Sequence, residues 1–356
     1  MKKILSIVLT LALVLGSFGF AFAAPSDVAG TDYEDAVERL MALGIVDGFE
    51  DGTIRPEDSL TREQFAKIVV LALGLDDIVE FANGPTQFSD VPENSWANGY
   101  INVATAQGLI KGYGNGEFGY GDKITYAQVV TVLVRALGYS DDDVTGLWPY
   151  NYIVKAKDLG ITDEVKVVAG NANRGNAFRL LDATLFTEIK DENTEDAVVP
   201  GKLIVEKGLA NELTGVLEGT YNKNYTSEEL EENQVVIDGT VYKTNLDLDA
   251  YVGQKIDVLE KDEVVLNAEI SSDNTVTTVV ADDLDATSTL DAVTYTDADD
   301  ETQTINIDAS AVYVYNTVKE AKTNLANADV TGATEIKLID NDADEDADYV
   351  FITVFG

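Results

Sequence analysis

The chain has 356 residues, of which 64 are acidic and 24 basic, and its net charge is −40. This charge disfavours nucleic acid as a partner, because the phosphate backbone repels an acidic surface. Cysteine and histidine are both absent, which excludes disulfides, cysteine nucleophiles, serine–histidine dyads and histidine-bound zinc, but leaves carboxylate pairs and Ca²⁺ sites open.

The first 23 residues predict a secretory signal peptide. Met-Lys-Lys precedes an apolar run from Ile4 to Phe22, and the small-residue signal Ala21-Phe22-Ala23 closes the run. A basic start, an apolar run and an A-x-A site are typical of a cleaved leader. The alternative is a membrane anchor, since the run is about long enough to span a bilayer. We expect a mature secreted protein that begins at Ala24 and has no membrane partner.

Residues 24–190 contain a repeat with an offset of 64 residues. The second copy, GLIKGYGNGEFGYGDKITYAQ, repeats the pattern of GIVDGFEDGTIRPEDSLTREQ, and the match extends to the two Ala-Leu-Gly sequences that end at Gly74 and Gly138. A weaker third copy runs from Trp148 through Asn173-Arg174-Gly175-Asn176. Repeats of this size are typical of units that cannot bury their apolar faces alone.

Each copy predicts a helix, a glycine-rich loop and a second helix. Apolar residues recur at helical spacing in the second helices, as in Phe65, Ile68 and Val69. Thr61 with Gln64, and Thr125 with Gln128, have the spacing of a capping box.

Two arginines stand where helix electrostatics disfavours them. Arg62 and Arg174 fall in the first turn of predicted helices, at the positive end of the helix dipole. A guanidinium at a helix N-terminus is a good receptor for a carboxylate or phosphate, whereas the alternative is an ion pair with a nearby Asp or Glu.

FSDVPENSW (residues 88–96), GLIKGYGNGEFGYGDKIT and TREQFAKIVV together resemble S-layer homology (SLH) domains. The resemblance covers residues 27–190 as three tandem copies. It implies an all-α, pseudo-threefold trimer of helix-loop-helix units whose grooves bind a secondary cell-wall polysaccharide that carries pyruvate ketals. It also implies that the arginine of the Thr-Arg-Ala-Glu motif faces the pyruvyl carboxylate.

The resemblance assigns groove residues in each copy. Copy two has Tyr126 in place of the arginine, which predicts a weak groove there, and copy three keeps Arg174 but changes the threonine and the acid. The tryptophans that open copies two and three fit core packing better, with a position beside a sugar as the alternative. The predicted ligand-binding residues are Thr61, Arg62, Glu63, Gln64, Thr125, Gln128, Asn173, Arg174, Trp96 and Trp148.

After Lys190 the sequence predicts all-β sandwich or barrel-like modules. Helical exceptions are predicted at 317–328 and 227–232. The predicted domains are a linker at 191–198 and β-rich modules at 199–284 and 285–356, after a leader at 1–23 and repeats at 24–80, 81–140 and 141–190. The predicted strands are 202–205, 234–237, 255–259, 264–270, 275–280, 292–295, 304–307, 311–315, 335–339 and 349–354.

One acidic loop in this half predicts a metal site. Alternating carboxylates in a tight loop offer the oxygen ligands that Ca²⁺ requires. A solvated acidic turn is the alternative, since the glycine of an EF-hand loop is missing. Ca²⁺ is the one cofactor that we expect, and the candidate ligands are Asp340, Asp342, Asp344, Asp346 and Asp348.

The sequence as a whole predicts a surface-layer subunit of a Gram-positive-type bacterium. The repeats would attach it non-covalently to a wall polysaccharide on peptidoglycan, and the acidic half would face outward for self-assembly into a lattice. We expect no catalytic residues, because no carboxylate pair is singled out by spacing. The alternative is an SLH-anchored enzyme or adhesin.

Overall fold

The computed structural model describes residues 25–190 and 201–354, so the predicted signal peptide and linker lie outside the described residues. The chain divides into two compact units, the first ending at Asn211 and the second beginning at Glu212.

Short amphipathic helices separated by glycine-rich loops build the first unit. Every helix of the described residues is too short or too polar to cross a bilayer. In chain order the helices are α1 (Glu34–Ala42), α2 (Arg62–Ala72), α3 (Asn98–Ala106), α4 (Tyr126–Ala136), α5 (Tyr150–Asp158), α6 (Arg174–Leu185) and α7 (Leu203–Glu206), with a 3₁₀ turn at Asp76–Ile78.

The helices of the first unit pack in three pairs that are joined through α4. Helix α2 packs against α3, α4 against α5, and α1 against α6, while α4 also contacts α2 and α6. Arg39 of α1 and Asp182 of α6 form an ion pair of 2.6 Å across the last of these contacts. Helix α1 of the first repeat therefore packs against the last helix of the third repeat.

Backbone pairing joins the three repeats at the starts of α2, α4 and α6. Isolated antiparallel bridges connect Ser59 with Asn173, Thr61 with Lys123, and Thr125 with Asn171. Each repeat thus exchanges main-chain hydrogen bonds with the other two, next to a core that contains the fully buried Phe65, Phe118 and Phe178. This pairing fixes where the N-terminus of each second helix points.

The prediction that residues 27–190 are all-α was wrong. The six helices that the structure describes there are only 9 to 12 residues long, and loops, turns and the three β-bridges occupy the sequence between them. The physical reason is the glycine-rich loops, whose positive-φ residues, such as Gly52, Gly116 and Gly119, end helical geometry and let backbone pair with backbone.

The second unit begins with a closed five-stranded barrel in the order β1-β2-β3-β5-β4. Its core contains Leu217, Val235, Ile237, Ile256 and Val258, and in β4 the exposed Asp257 separates the last two, as the pleat of a strand requires. The strands are β1 (Asn211–Thr220), β2 (Gln234–Ile237), β3 (Thr240–Thr244), β4 (Lys255–Lys261) and β5 (Val264–Ile270), with a 3₁₀ turn at Asp249–Tyr251.

A six-stranded mixed sheet follows, in the order β6-β10-β11-β8-β7, and β9 pairs with β8. Strand β11 is antiparallel to β10 and parallel to β8, and its Phe351 packs against the barrel core. The elements are β6 (Thr275–Val280), β7 (Ala292–Thr296), β8 (Thr302–Tyr315), β9 (Val318–Glu320), β10 (Glu335–Asp340) and β11 (Asp346–Thr353), with a 3₁₀ turn at Lys322–Asn324 and α8 at Asn327–Thr331.

Several predictions for this half were wrong. The predicted strand 202–205 is mostly helix α7, and the predicted helix 317–328 holds β9, a 3₁₀ turn and only the start of α8. Residues 227–232, predicted as a helical turn, form irregular backbone with a bend and a turn. The predicted strands 304–307 and 311–315 are one strand, β8. The change of sheet comes between β5 and β6, earlier than the boundary predicted after residue 284, because β6 already pairs with β10. The two short helices also mean that this half is β-rich and not all-β.

Candidate functional site

Capping boxes fix the N-termini of α2 and α4, as the sequence predicted. The Gln64 amide N–H donates to the Thr61 hydroxyl and the Thr61 N–H donates to the Gln64 side chain at 2.9 Å. Thr125 and Gln128 repeat both bonds. In α6, the Asn173 side chain accepts from the N–H of Asn176 at 2.9 Å. These three ends are held rigidly, so the side chains in their first turns are well placed.

Arg62 inserts into the loop of the second repeat. Its Nε donates to the Phe118 carbonyl and its Nη2 to the Lys111 carbonyl, both at 2.9 Å. The guanidinium lies 4.8 Å from the Tyr113 ring centroid and 5.0 Å from that of Phe118. Only 3% of Arg62 is exposed, and this burial lowers the pKa of its guanidinium.

Arg174 makes the corresponding insertion into the loop of the first repeat. Its Nε donates to the Ile54 carbonyl at 2.7 Å, and its guanidinium lies 4.9 Å from the Phe49 ring centroid. At the equivalent place in the second repeat, the Tyr126 N–H donates to the Gly170 carbonyl and the Tyr126 hydroxyl accepts from Asn176. Each second helix therefore docks its first residue into the loop of the next repeat in the cycle.

The interpretation that these arginines pair with nearby carboxylates was wrong. Within the described residues, Arg62 and Arg174 donate to main-chain carbonyls, and the carboxylates of Glu63 and Glu57 serve other donors. Glu63 accepts from the Gly121 N–H at 3.0 Å, and Glu57 accepts from Asn173 and Tyr33. Glu63, Thr61 and Asn173 thus have structural partners, and their role as ligand contacts stays a prediction.

A groove of about 250 Å³ opens beside Arg62. Lys111 and Tyr113 from the loop of the second repeat line it, and so do Gln128 and Arg135 from α4. The remaining lining residues are Leu109, Ile110, Gly112, Thr131, Val132 and Trp148. The arginine of the first repeat thus completes a groove of the second, which is the groove that the sequence predicted to be weak.

The groove contains three cations and an aromatic side chain that is available to solvent. Trp148 is 55% exposed, and its indole Nε1–H donates to the Thr131 hydroxyl at 3.0 Å, which fixes the ring at the rim. Trp96 is 54% exposed and lies beside Tyr100. The core-packing interpretation of both tryptophans was therefore wrong, because each keeps a face open to a ligand.

Sequence reasoning missed Lys111, Tyr113 and Arg135 as groove residues. The available signal was the spacing of Gln128, Val132 and Arg135, which places their side chains on one helix face. Tyr113 could be recognised only in space, where it packs so closely on Gly119 that an added Cβ would lie 2.6 Å from its ring. Of the predicted residues, the structure brings Arg62, Gln128 and Trp148 together in this groove, and the described lining does not include the others.

Three of the five predicted calcium ligands lie together. Carboxylate oxygens of Asp340, Asp342 and Asp348 are within 4.8 Å of one another, whereas Asp344 and Asp346 are not part of this group. Burial and the neighbouring carboxylates raise the pKa of Asp348. The Asp340 carboxylate already accepts the N–H groups of three residues of its own loop. Calcium binding at this loop stays a prediction.

Comparison with known proteins identifies the repeats. The model of the S-layer homology domain matches residues 26–66 and 87–130. The predicted third copy, at 141–190, lies outside the matched residues, although α5 and α6 occupy it. The matched stretches contain Arg62, Lys111, Tyr113 and Gln128 of the groove.

Three relatives of the chain are named as cell wall or surface proteins. It is 36% identical over 198 residues to the middle cell wall protein of Brevibacillus brevis, with 54% of this chain and 19% of that protein covered. It is 31% identical over 356 residues to a cell surface protein of Thermoanaerobacter kivui, with 96% and 44% covered. It is 29% identical over 294 residues to the surface layer protein of Brevibacillus choshinensis, with 74% and 26% covered. The chain spans less than half the length of each of these relatives.

Other relatives differ in what they are named for. An amylopullulanase of Thermoanaerobacterium thermosulfurigenes is 28% identical over 174 residues, and a cellulosome-anchoring protein of Acetivibrio thermocellus is 28% identical over 154 residues. The match to enzymes covers less than half of this chain, 44% of it for the amylopullulanase. The family match and the relatives together support the anchoring of a surface protein to the cell wall. The chain therefore contains S-layer homology domains, is similar to surface proteins, and is located at the cell surface.

Proposed function

We propose that the first unit anchors the protein by binding an anionic secondary cell-wall polysaccharide, of the kind that carries pyruvate ketals, in the groove beside Arg62. The observation that carries this proposal is the concentration of Arg62, Lys111 and Arg135 around one solvent-exposed tryptophan. Cations beside an aromatic face suit a ligand that combines a carboxylate with the apolar face of a sugar ring.

The charge of the whole chain also favours an anionic ligand for this groove. A chain with a net charge of −40 repels anionic polymers, so a local cluster of cations is needed to bind one. Within the groove lining, every ionisable side chain other than that of Tyr113 is basic. A neutral glycan would not require this arrangement.

The corresponding positions of the first repeat differ in charge. At the offset of 64 residues, Asp47 stands where the second repeat has Lys111, and Leu71 stands where it has Arg135. Asp47 lies 3.9 Å from Lys67 in the structure. The groove beside Trp148 is therefore the better anion site of these two repeats, and we expect it to account for most of the affinity.

The acidic β-rich half supports assembly as a second element of the proposal. The relative from Thermoanaerobacter kivui aligns over nearly all of this chain, so the likeness to a cell surface protein includes this half. We propose that it faces outward and makes lattice contacts, with divalent cations screening the repulsion between like-charged copies. An enzymatic role is the alternative, and assembly of purified protein into ordered sheets on addition of Ca²⁺ would favour the lattice over it.

The anchoring proposal is tested by sedimentation of the full chain with purified cell walls of the producing bacterium. Walls stripped of their secondary polysaccharide serve as the second arm. We expect the protein to pellet with intact walls only. Protein that remains in solution with both preparations, or pellets equally with both, would contradict the proposal.

Lys111→Gln tests the groove itself. Lys111 is largely exposed, with 59% of its side chain accessible, so its replacement removes a cation without disturbing the core. We expect wall affinity to fall on the order of tenfold. Lys123→Gln is the matched control, because it removes the same charge from an exposed position of the same repeat outside the groove lining. Equal losses of wall affinity in both variants would indicate that the net charge of the protein, and not the groove, causes the effect.

A further inference from the structure

One carboxylate bridges two of the three groove cations. Asp141 Oδ2 accepts from Lys111 Nζ at 2.6 Å, and Asp141 Oδ1 accepts from Arg135 Nη2 at 2.8 Å. About half of the Asp141 side chain is exposed, so it is not a core residue. Lys111 and Arg135 thus already have a counter-ion before any ligand arrives.

A buried tyrosine fixes this bridge from behind. The Tyr152 hydroxyl donates to Asp141 Oδ1 at 2.5 Å and accepts from Arg135 Nε at 3.2 Å, and only 1% of Tyr152 is exposed. Donation from Lys111, Tyr152 and Arg135 holds the pKa of Asp141 well below its usual range. The carboxylate is therefore both immobilised and ionised at neutral pH, unlike a chance ion pair between flexible surface side chains.

Of the two repeats that match the family model, only the second contains this bridge. The residue equivalent to Asp141 in the first repeat is Asp77, so the carboxylate recurs, but its two cations are replaced by Asp47 and Leu71. Asp77 lies in an exposed 3₁₀ turn. A structural requirement of the fold would be expected in both repeats, whereas the complete trio of Lys111, Asp141 and Arg135 is found only where the groove is lined by cations.

We propose that Asp141 determines the specificity of the groove by acting as a built-in competitor for simple anions. This inference rests on the proposed function of the groove. A small inorganic anion must take Lys111 or Arg135 from a carboxylate that already satisfies them, so the exchange gains little free energy. A wall polymer gains in addition from Trp148 and Gln128, which Asp141 does not occupy. The groove therefore rejects phosphate-like and sulfate-like anions and retains the anionic sugar.

Asp141→Asn tests this inference with sulfate as the simple anion. The chain contains two tryptophans, so a Trp96→Phe background isolates the emission of Trp148, which reports sulfate entering the groove. We expect Asp141→Asn to bind sulfate on the order of tenfold more tightly. Affinity for intact walls, measured in parallel, should change by less, so that the ratio of the two affinities falls.

Asp142→Asn is the matched control, because it removes the same charge from the adjacent exposed residue. An equal gain in sulfate affinity in this control, or no gain in Asp141→Asn, would overturn the inference. Loss of wall binding in Asp141→Asn without a gain for sulfate would also overturn it, since Asp141 would then only position the cations. Asp141→Glu keeps the charge and should reject sulfate like the wild type, which separates specificity from misfolding. Failure of the wild type to sediment with walls would refute the anchoring proposal and leave the sulfate comparison intact.

Discussion

Arg62 donates from Nε to the main-chain carbonyl of Phe118, 56 residues further along the chain and in a different repeat. The bond joins the first turn of α2 to the loop of the second repeat, and a second bond reaches the Lys111 carbonyl. Arg62, which the resemblance assigned to ligand binding, therefore also connects the first repeat to the second.

Arg62→Ala should destabilise the first unit by about 2–4 kcal/mol, because the buried Phe118 carbonyl and the partly buried Lys111 carbonyl lose a charged donor. Thermal unfolding followed by far-UV circular dichroism measures the change. Lys67→Ala on the same helix, where the nearest carboxylate is 3.9 Å away, should cost no more than about 0.5 kcal/mol. Similar shifts in both variants would contradict a buried structural role for Arg62.

Thr125→Ala should cost about 1 kcal/mol, since it removes the side-chain acceptor of the α4 capping box. Thr125→Ser keeps the hydroxyl and should lose only a few tenths of a kcal/mol. Denaturant unfolding of the two variants and the wild type provides the comparison. A serine variant as unstable as the alanine variant would indicate that the methyl group, and not the cap, is what matters.

Trp148→Ala should weaken wall binding on the order of tenfold or more, because it removes the aromatic face at the rim of the cationic groove. Trp96→Ala is a close control, since the two tryptophans are almost equally exposed. We expect a smaller loss there, because Trp96 lies outside the lining of the cationic groove. Sedimentation with intact walls measures both, and a greater loss for Trp96→Ala would indicate that the main site lies at Trp96 and not in the groove beside Trp148.

Asp348→Asn should stabilise the second unit at neutral pH. The pKa of Asp348 is raised in the folded protein, so folding takes up a proton and wild-type stability rises as the pH falls through this raised pKa. The gain in stability is complete at pH values below the pKa that Asp348 has in the unfolded chain. The variant lacks this carboxyl, so its melting temperature should rise less on acidification. Asp344→Asn, outside the group of three carboxylates, is the control.

Calcium addition tests the predicted metal site at the same loop. If the loop binds Ca²⁺, the ion should raise the melting temperature of the wild type more than that of Asp348→Asn. A rise of equal size in both proteins would indicate that Ca²⁺ binds at another place in the protein. The measurement requires prior treatment with a chelator, so that the starting protein is free of the ion.

Local signals made the capping boxes and several strands predictable. Thr61 and Gln64 are three residues apart, and their bonds depend on little else. Strands β5 and β6 have the predicted bounds, 264–270 and 275–280, because their β-branched runs are flanked by turn residues.

Contacts between distant segments made other features unpredictable. Strand β1 was missed because it contains Gly215 and Gly219, and a Cβ at Gly215 would lie 2.6 Å from the Asp238 carboxylate. Helix α7 was taken for a strand, yet Leu203 and Ile204 are both fully buried, which consecutive residues of a one-sided strand are not. The groove was not predicted for the same reason, since its residues come from all three repeats.

The closure of α1 against α6 has a consequence for the order of synthesis. Arg39 and Asp182 are 143 residues apart, so α1 lacks α6, the helix against which it packs, until the third repeat has been made. Val37 and Leu40 of α1 are fully buried in the finished protein. A chain that lacks residues 141–190 therefore cannot complete the packing of α1, and we expect the first repeat to reach its final structure only after the third repeat has been synthesised.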